Sequence, residues 1–186
     1  VTQSDAEMIL DYSCGENVLD NLQQASGDVS TNGILTSFDA ALIYKYLSGQ
    51  INQLPFYDGE EQNASGLLYA DQAISGDGQI VTIPAYLTSP DNVLSFDISM
   101  SYDPSQLSFG TINSSSLSDL GFSLKSSFQN GHVVVSGAGS LPVNNDILLF
   151  NLYFIVSYSE SDQITLRSNN IVSVSYTHLT LPTIVS

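Results

Sequence analysis

The chain has 186 residues, of which 19 are acidic and only 3 are basic, so its formal net charge at pH 7 is −16. This excess of negative charge repels nucleic acid and anionic membrane surfaces and attracts cations. No stretch of the sequence is apolar over the length of a membrane span. Nucleic-acid binding and membrane insertion are therefore not expected, and the length suits one small sandwich with a short appendage.

No catalytic residue is predicted. The single cysteine, Cys14, excludes an internal disulfide and reads as a small packing residue rather than a nucleophile. His132 has no Cys or His at the spacing of a zinc site. The acids Asp58, Glu60 and Glu61 lie in a segment rich in turn residues. Solvent-exposed acids lack the burial that would shift their pKa values apart into a catalytic acid and a catalytic base. The sequence also lacks the usual motifs of hydrolases, nucleotide-binding loops and zinc proteases, so the chain is not expected to be an enzyme.

Residues 28–39 have the spacing of a calcium-binding EF-hand loop. Oxygen donors occupy the ligand positions, with a main-chain carbonyl at the seventh, and Gly33 takes the sixth, where the turn is sharp. Neutral donors and a short acid at the twelfth position predict one calcium ion bound with modest affinity. The alternative is a polar turn that holds no ion. The expected ligands are Asp28, Ser30, Asn32, Ile34, Thr36 and Asp39.

A short helix is predicted to leave this loop. Ala40, Ile43 and Leu47 recur at helical spacing, and Gly49 is placed to end the helix in the left-handed conformation. The approach to the loop, residues 23–27, is polar and ends in glycine, so no incoming helix is expected. A calcium loop with an exit helix and no incoming helix resembles a dockerin repeat, which implies binding to a cohesin of another protein.

An internal repeat supports this resemblance. Shifting the sequence by 34 places superimposes residues 1–15 on residues 35–49 of the second repeat, which spans residues 27–49. Both repeats belong to a dockerin part that spans residues 1–51. The chain starts inside the first repeat, where only Thr2 and Asp5 remain of the ligand set, so no calcium is expected there. The matching pairs are Thr2 and Thr36, Asp5 and Asp39, Ala6 and Ala40, Ile9 and Ile43, Tyr12 and Tyr46, and Gly15 and Gly49.

Residues 52–66 read as a linker, and the hydrophobic period changes to two after them. Alternation predicts half-buried strands that pair as an antiparallel sandwich. Predicted inward residues are Leu94, Phe96, Ile98 and Met100 in one strand and Leu148, Phe150, Leu152, Phe154 and Val156 in another, whose Leu149 and Ile155 should face away from the core. The expected class is mainly β, a jelly-roll sandwich preceded by a small helical module.

The strand phrases of residues 67–173, with SFDISMSYDP and VSGAGS the most specific, resemble a cohesin domain. The resemblance implies a secreted scaffold that binds the dockerin of another protein in plant-polysaccharide-degrading assemblies. By position, Ser95 and Asp97 would lie on the dockerin-binding face, although Asp97 reads equally well as an ordinary solvated strand residue. On the dockerin side the recognition pair falls on Ser37 and Phe38, with Gln3 and Ser4 in the broken repeat.

A carbohydrate-binding or adhesive sandwich is the alternative function. The chain has no Trp, so sugar rings would stack on Tyr86, Tyr153 or Tyr158. Within the tail, residues 174–186, the run Val174–Thr183 resembles the translation of a sequencing adapter. His178 is therefore not read as a ligand, and Ile171–Ser186 is predicted to contribute nothing to folding.

Overall fold

The computed structural model describes residues 1–56, 65–70, 80–156, 167–173 and 177–179. Three helices come first: α1 (Gln3–Ser13), α2 (Asn21–Gly27) and α3 (Ser37–Leu47). A fourth, α4 (Ser115–Ser118), follows the fourth strand. The strands are β1 (Ser65–Ala70), β2 (Ile80–Asp91), β3 (Val93–Ser101), β4 (Leu107–Asn113), β5 (Ser123–Gln129), β6 (His132–Val143), β7 (Ile147–Val156), β8 (Arg167–Ser173) and β9 (Thr177–Leu179).

The strands form two antiparallel sheets. The first has the order β1-β2-β7-β4 and the second the order β5-β6-β3-β8-β9. Their inner faces enclose one hydrophobic core, in which the alternating residues of β2, β3, β6 and β7 are buried. The predicted mainly β, antiparallel sandwich is confirmed, and β7 is central in its sheet as predicted, because it pairs with both β2 and β4.

Two irregularities correct the predicted alternation. The pairing of β2 with β7 shifts between Ala85 and Tyr86. As a result Leu149 is buried in the core while Leu148 is only half-buried, the reverse of the prediction. The pairing of β3 with β6 shifts between Val93 and Ser95, and Leu94 packs outside the sandwich core. A bulge changes the face to which neighbouring side chains point, and strict alternation cannot anticipate it.

The helices α1 and α3 show the 34-residue repeat in their backbone. Each begins with a Thr and an Asp three residues later, whose carboxylate accepts from the Thr N–H, at 2.8 Å from Thr2 to Asp5 and at 3.0 Å from Thr36 to Asp39. Each is followed by a glycine with positive φ, 85° at Gly15 and 75° at Gly49. The hydrogen bonds after the two helices also correspond, since each glycine N–H donates to the tyrosine carbonyl three residues earlier, at 3.0 Å. The two segments therefore have the same local structure.

The prediction that no helix enters the calcium loop is wrong. The helix α2 leads directly into Asp28 and is started by Asp20, whose carboxylate accepts hydrogen bonds from the N–H groups of Leu22 and Gln23. The Gln23 side chain accepts in return from the Asp20 N–H, at 2.9 Å. This capping box outweighs the lack of an apolar stripe, because α2 buries no residue at all.

The predicted linker is shorter than residues 52–66. Ile51, Leu54 and Phe56 pack against the helices, and the Phe56 N–H donates to the carbonyl of Val29 at 2.8 Å. At the other end, β1 begins at Ser65. Residues 57–64, with the acids of the predicted linker, lie outside the described residues.

The tail prediction is wrong in part. The strand β8 pairs with β3, with Ile171 opposite Ile98 and Val172 opposite Asp97. The strand β9, which falls within the adapter-like run, pairs with β8. Backbone hydrogen bonding along a sheet does not depend on side-chain identity, so a segment of either origin can complete an edge. Residues 174–176 and 180–186 lie outside the described part of the chain, and the adapter origin stays a prediction.

Candidate functional site

The helices pack on the outer face of the second sheet. The helix α3 lies over β3 and β6, and α1 lies over β5 and β6. Side chains from both sides share one hydrophobic cluster, which we call the helical cluster. Its buried members are Ala6, Ile9, Leu10, Val29, Phe38, Ala40, Ala41, Leu42 and Ile43 from the helical part and Leu94 and Ala138 from the sandwich.

The sequence Gly137-Ala138-Gly139 in β6 explains how the sheet receives the helices. A Cβ atom at Gly137 would collide with the ring of Phe96, and one at Gly139 with the ring of Phe122, so both glycines face the sandwich core. Ala138 lies between them and faces the helices, where it is 0% exposed. A methyl group is all that the strand presents here, which lets α3 approach the sheet closely.

A polar contact joins the start of α3 to β3. The Ser37 hydroxyl donates to Oδ2 of Asp97 at 2.8 Å, and the Ser37 N–H donates to the same oxygen at 3.3 Å. Ser37 is the first residue of α3, directly after the N-cap Thr36. Its N–H is one of those that a helix leaves unpaired at its N-terminus. The dipole of α3 also favours a negative charge at this position. Two residues that the sequence assigns to opposite sides of a recognition event thus contact each other within one chain.

The Asp97 carboxylate is enclosed by this contact. Burial raises the pKa of Asp97 above its ordinary value, and the hydroxyls of Ser136 and Ser37 offset part of this rise. Oδ1 of Asp97 and the Ser136 hydroxyl are both buried, and neither makes a hydrogen bond of good geometry to any residue that the structure describes. Ser37 therefore satisfies Oδ2 of this carboxylate through two donors, whereas the Ser136 hydroxyl is, by its geometry, the weaker partner.

A second set of polar contacts lies at the end of α1. Nζ of Lys125 is 3.3 Å from Oδ1 of Asp11, and the Ser127 hydroxyl donates to the carbonyl of Cys14. Burial raises the pKa of the Cys14 thiol to about 11, so this cysteine is not a nucleophile at neutral pH. The Tyr44 hydroxyl of α3 is also buried, which raises its pKa. The helices are thus held at both ends of their contact with the sheet.

The predicted calcium loop is folded as a closed turn around Asp28. Oδ1 of Asp28 accepts from the Ser30 hydroxyl at 3.1 Å and from the Asn32 N–H at 3.2 Å. Oδ2 accepts from the Gly33 N–H at 2.8 Å, and Gly33 has a φ of 84°. The glycine predicted at the sharp turn is therefore in the conformation that glycine adopts at least cost.

Asp39 brings the second carboxylate to the same place. Its Oδ1 accepts from the Ser30 N–H and its Oδ2 from the Thr36 N–H, each at 3.0 Å. Burial raises the pKa of Asp39, the hydrogen bonds from Ser30 and Thr36 offset part of this rise, and the nearby charge of Asp28 adds a small further increase. Two carboxylates that meet at Ser30, surrounded by hydroxyl, amide and carbonyl oxygens, form a donor set of the kind that a hard divalent cation prefers. A cation would also relieve the repulsion between them, so the residues present fit calcium.

The structure places the other predicted site residues as follows. Phe38 is buried in the helical cluster, and Ser95 is 0% exposed on the strand that α3 covers. Ile34 has an exposed side chain, which leaves its carbonyl as the relevant group. Sequence reasoning missed Leu94, Ala138 and Lys125. The glycines that flank Ala138 were the signal for this close approach.

The tyrosines considered for sugar binding lie elsewhere. Tyr86 and Tyr153 alternate with core residues of β2 and β7, so they face outward on the first sheet, opposite the helices. Tyr86 is 37% exposed and Tyr153 is half-buried. Tyr158 lies outside the described residues. Within the part of the chain that is described, no helix is long and apolar enough to cross a membrane, and no three His, Cys, Asp or Glu side chains are grouped as a metal site.

Comparison with known proteins identifies the fold. No model of a protein family matches the sequence, and a search of curated proteins finds no match. Among solved structures, a non-cellulosomal cohesin from Archaeoglobus fulgidus is similar over 63% of this chain and 85% of its own, with 20% identity and a TM-score of 0.52. The sixth cohesin of scaffoldin B from Acetivibrio cellulolyticus, solved with a Cel5 dockerin, is similar over 63% and 94%, with 15% identity and a TM-score of 0.53. A cohesin–dockerin complex from Clostridium thermocellum, Coh-OlpA with Doc918, is similar over 64% and 95%, with 13% identity and a TM-score of 0.50. The sandwich therefore has the cohesin fold.

Proposed function

We propose that this chain is a non-catalytic protein-recognition module whose sandwich binds a dockerin-like helix pair on the outer face of β5, β6 and β3. The observation that supports this proposal is the Ser37–Asp97 contact, in which a helix that follows a calcium-type loop is seated on that face. The cohesin fold of the sandwich, and the dockerins that accompany two of the similar cohesins, agree with it. The face offers an apolar centre, Leu94 and Ala138, bordered by a carboxylate and a lysine.

The biological setting that we propose is an extracellular, cellulosome-like assembly that degrades polysaccharides. In such an assembly the sandwich would receive the dockerin of another protein, and the helical part would offer itself to a cohesin of another protein. Calcium at Asp28, Ser30, Asn32, Ile34, Thr36 and Asp39 would order the loop before α3. We propose no calcium site near Asp5, where Thr2 and Asp5 are the residues that match the ligand set.

The calcium proposal is tested by titration calorimetry. One calcium ion per chain is expected, and Asp28→Ala should abolish its binding, because that carboxylate organises the loop through Asn32 and Gly33. Asp5→Ala is the matched control and should leave the stoichiometry at one. Two ions per chain, or none at millimolar calcium, would contradict the proposal.

Partner recognition is tested with a panel of dockerins and a panel of soluble plant polysaccharides. The receptor is the full chain carrying Ser37→Asp, which replaces the hydroxyl donor to Asp97 with a carboxylate that repels it and leaves every residue of the sheet face native. Adding Asp97→Ala should weaken dockerin binding by about tenfold or more, because a hydrogen bond to a charged group contributes roughly 1.5–3 kcal/mol. Adding Tyr153→Ala should leave dockerin binding unchanged.

The same experiment tests the alternative function. Carbohydrate binding that survives Asp97→Ala and is lost in Tyr153→Ala would support a glycan-binding sandwich instead, since Tyr153 lies on the opposite sheet. Ile98→Ala separates folding from binding, because Ile98 is buried in the sandwich core. It should lower the melting temperature, whereas Asp97→Ala in this background should not. Binding to neither panel would refute the proposed recognition function.

A further inference from the structure

We propose that the chain occupies its own recognition face: residues 1–56 act as a ligand of the β5–β6–β3 face in the same molecule, and a partner must displace them. This inference rests on the proposed function. It goes beyond that function because it states that, in most molecules of the unbound protein, the recognition face is covered by the chain's own helices. The residues assigned to the two sides of recognition, Ser37 and Asp97, are already bonded to each other. A partner that needs Asp97 cannot reach it while α3 is in place.

The contact is extensive and polar at both ends. At one end Ser37 bonds to Asp97, and at the other Asp11 lies beside Lys125 while Cys14 accepts from Ser127. Between them the apolar centre is buried on both sides. Ala41, one turn after Ser37 on α3, is 0% exposed, as are Ala138 of β6 and Ser95 of β3. Complementary charge at the rim and small buried residues at the centre are features of a specific interface.

The connection between the two parts favours binding within one molecule. Phe56 is packed in the helical part and Ser65 starts β1, so only residues 57–64 join them. Because so few residues separate the two parts along the sequence, the effective concentration of the helices at the face is on the order of 1 mM. For a dissociation constant of about 1 μM between separate molecules, such occupancy would reduce the apparent affinity of a competing partner about a thousandfold.

The occupant also depends on the face. The helical cluster includes Leu94 and Ala138, so the helices complete their own core only when they lie on the sheet. Yet the seat is imperfect, because Oδ1 of Asp97 and the Ser136 hydroxyl remain buried without good hydrogen bonds among the described residues. A partner that satisfied these atoms as well would gain over the internal ligand. The internal helices therefore exclude weakly binding partners and can be displaced by a partner that bonds more fully to the face.

The test uses two full-length variants that break opposite sides of the contact. The helix-side variant carries Ser37→Asp and Ala41→Glu, which set charges against Asp97 and the sheet. The face-side variant carries Ala138→Glu, which blocks the face and leaves the helices native. We expect the unaltered chain and each variant alone to be monomeric by light scattering in millimolar calcium. An equimolar mixture of the two variants should form a dimer, because each supplies the half that the other lacks.

The decisive comparison is the binding of the face-side variant to two receptors, measured by calorimetry. It should bind the helix-side variant at least tenfold more tightly than it binds the unaltered chain, whose face is occupied. Equal binding to both receptors, or dimerisation of the unaltered chain alone, would overturn internal occupancy and leave the proposed function standing. No binding to the helix-side variant would refute the face as a receptor for helices, and with it the proposed function. Thermal melting of the sandwich in each variant serves as the folding control.

Discussion

The two hydrophobic clusters of the molecule are completed in different ways. The sandwich core is enclosed by residues of the two sheets and α4, with large buried side chains such as Phe150 and Phe154. The helical cluster has many small members, including Ala6, Ala40 and Ala41, and takes two of its buried residues from the sandwich. A short helical segment buries too little apolar surface to be stable alone. The difference teaches that the sandwich can hold its fold without the helices, whereas the helices depend on the sandwich.

The largest effect is expected from the sandwich core. Phe150→Ala should lower the free energy of unfolding by about 3–5 kcal/mol, since it removes a fully buried ring and leaves a cavity. Both clusters should be lost together, because the helices need the sheet face. Denaturant unfolding followed by circular dichroism measures this. Retention of helical protection in hydrogen exchange after the sandwich has unfolded would break the comparison.

A smaller and more local effect is expected from the helical cluster. Leu42→Ala should destabilise the docked helices by about 2–3 kcal/mol, because Leu42 is buried there. Hydrogen exchange should speed up in α1 and α3 while β2 and β7 keep their protection. Tyr46→Ala, on the same helix but exposed, is the control and should change neither region. Equal loss of protection in β7 would show that the two clusters form a single cooperative unit.

The pH dependence of stability should reveal Asp97. The pKa of Asp97 is raised in the folded chain, so burial there disfavours its charged form. The free-energy cost of burying this charge is relieved as the pH falls through the raised pKa toward the ordinary value of 3.8. Within this window the free energy of unfolding should rise by about 1.4 kcal/mol relative to Asp97→Asn for each unit of pKa difference. The groups that face the carboxylate, Ser37 and Ser136, are uncharged, which makes Asp97 itself the titrating group. Parallel pH profiles for the two proteins would contradict this.

The smallest effect is expected at the rim of the contact. Lys125→Ala should destabilise the docked helices by less than about 1 kcal/mol, because the ion pair with Asp11 is about one third exposed and solvent screens it. The effect should shrink further at high salt. A loss of several kcal/mol in thermal or denaturant melts would mean that the charged rim, rather than the apolar centre, holds the helices.

Local sequence patterns predicted most of the helices and strands. They did not predict how the helices pack on the sandwich. Alternation identified the inward residues Phe96, Ile98 and Phe154, and the repeat identified two equivalent helices with their caps. The bulges that redirect Leu94 and Leu149 depend on strand pairing between distant segments, which no window of sequence contains. The helix α2 was missed because its cap, rather than any apolar stripe, defines it.

The contact between Ser37 and Asp97 within one chain was not predicted, and the recognition roles of both residues stay predictions. Ser37 and Asp97 were both identified as recognition residues, each for a partner on another protein. A sequence shows which surfaces are suited to bind, and it does not show that two such surfaces of one chain lie within reach of each other. That depends on the faces to which α3 and β3 turn, which are properties of the assembled structure.

The Gly137-Ala138-Gly139 run has a consequence for how such a protein can evolve. Any side chain at either glycine would collide with a core phenylalanine ring and destabilise the fold, so selection should remove such substitutions. Ala138, which lies between them, faces the helices, and a larger side chain there would weaken the packing of the helices on the sheet. Under the proposed internal occupancy, a change at this one codon would alter how often the face is free, while the two neighbouring glycines keep the sandwich folded. Selection on recognition and selection on folding would then act on adjacent positions.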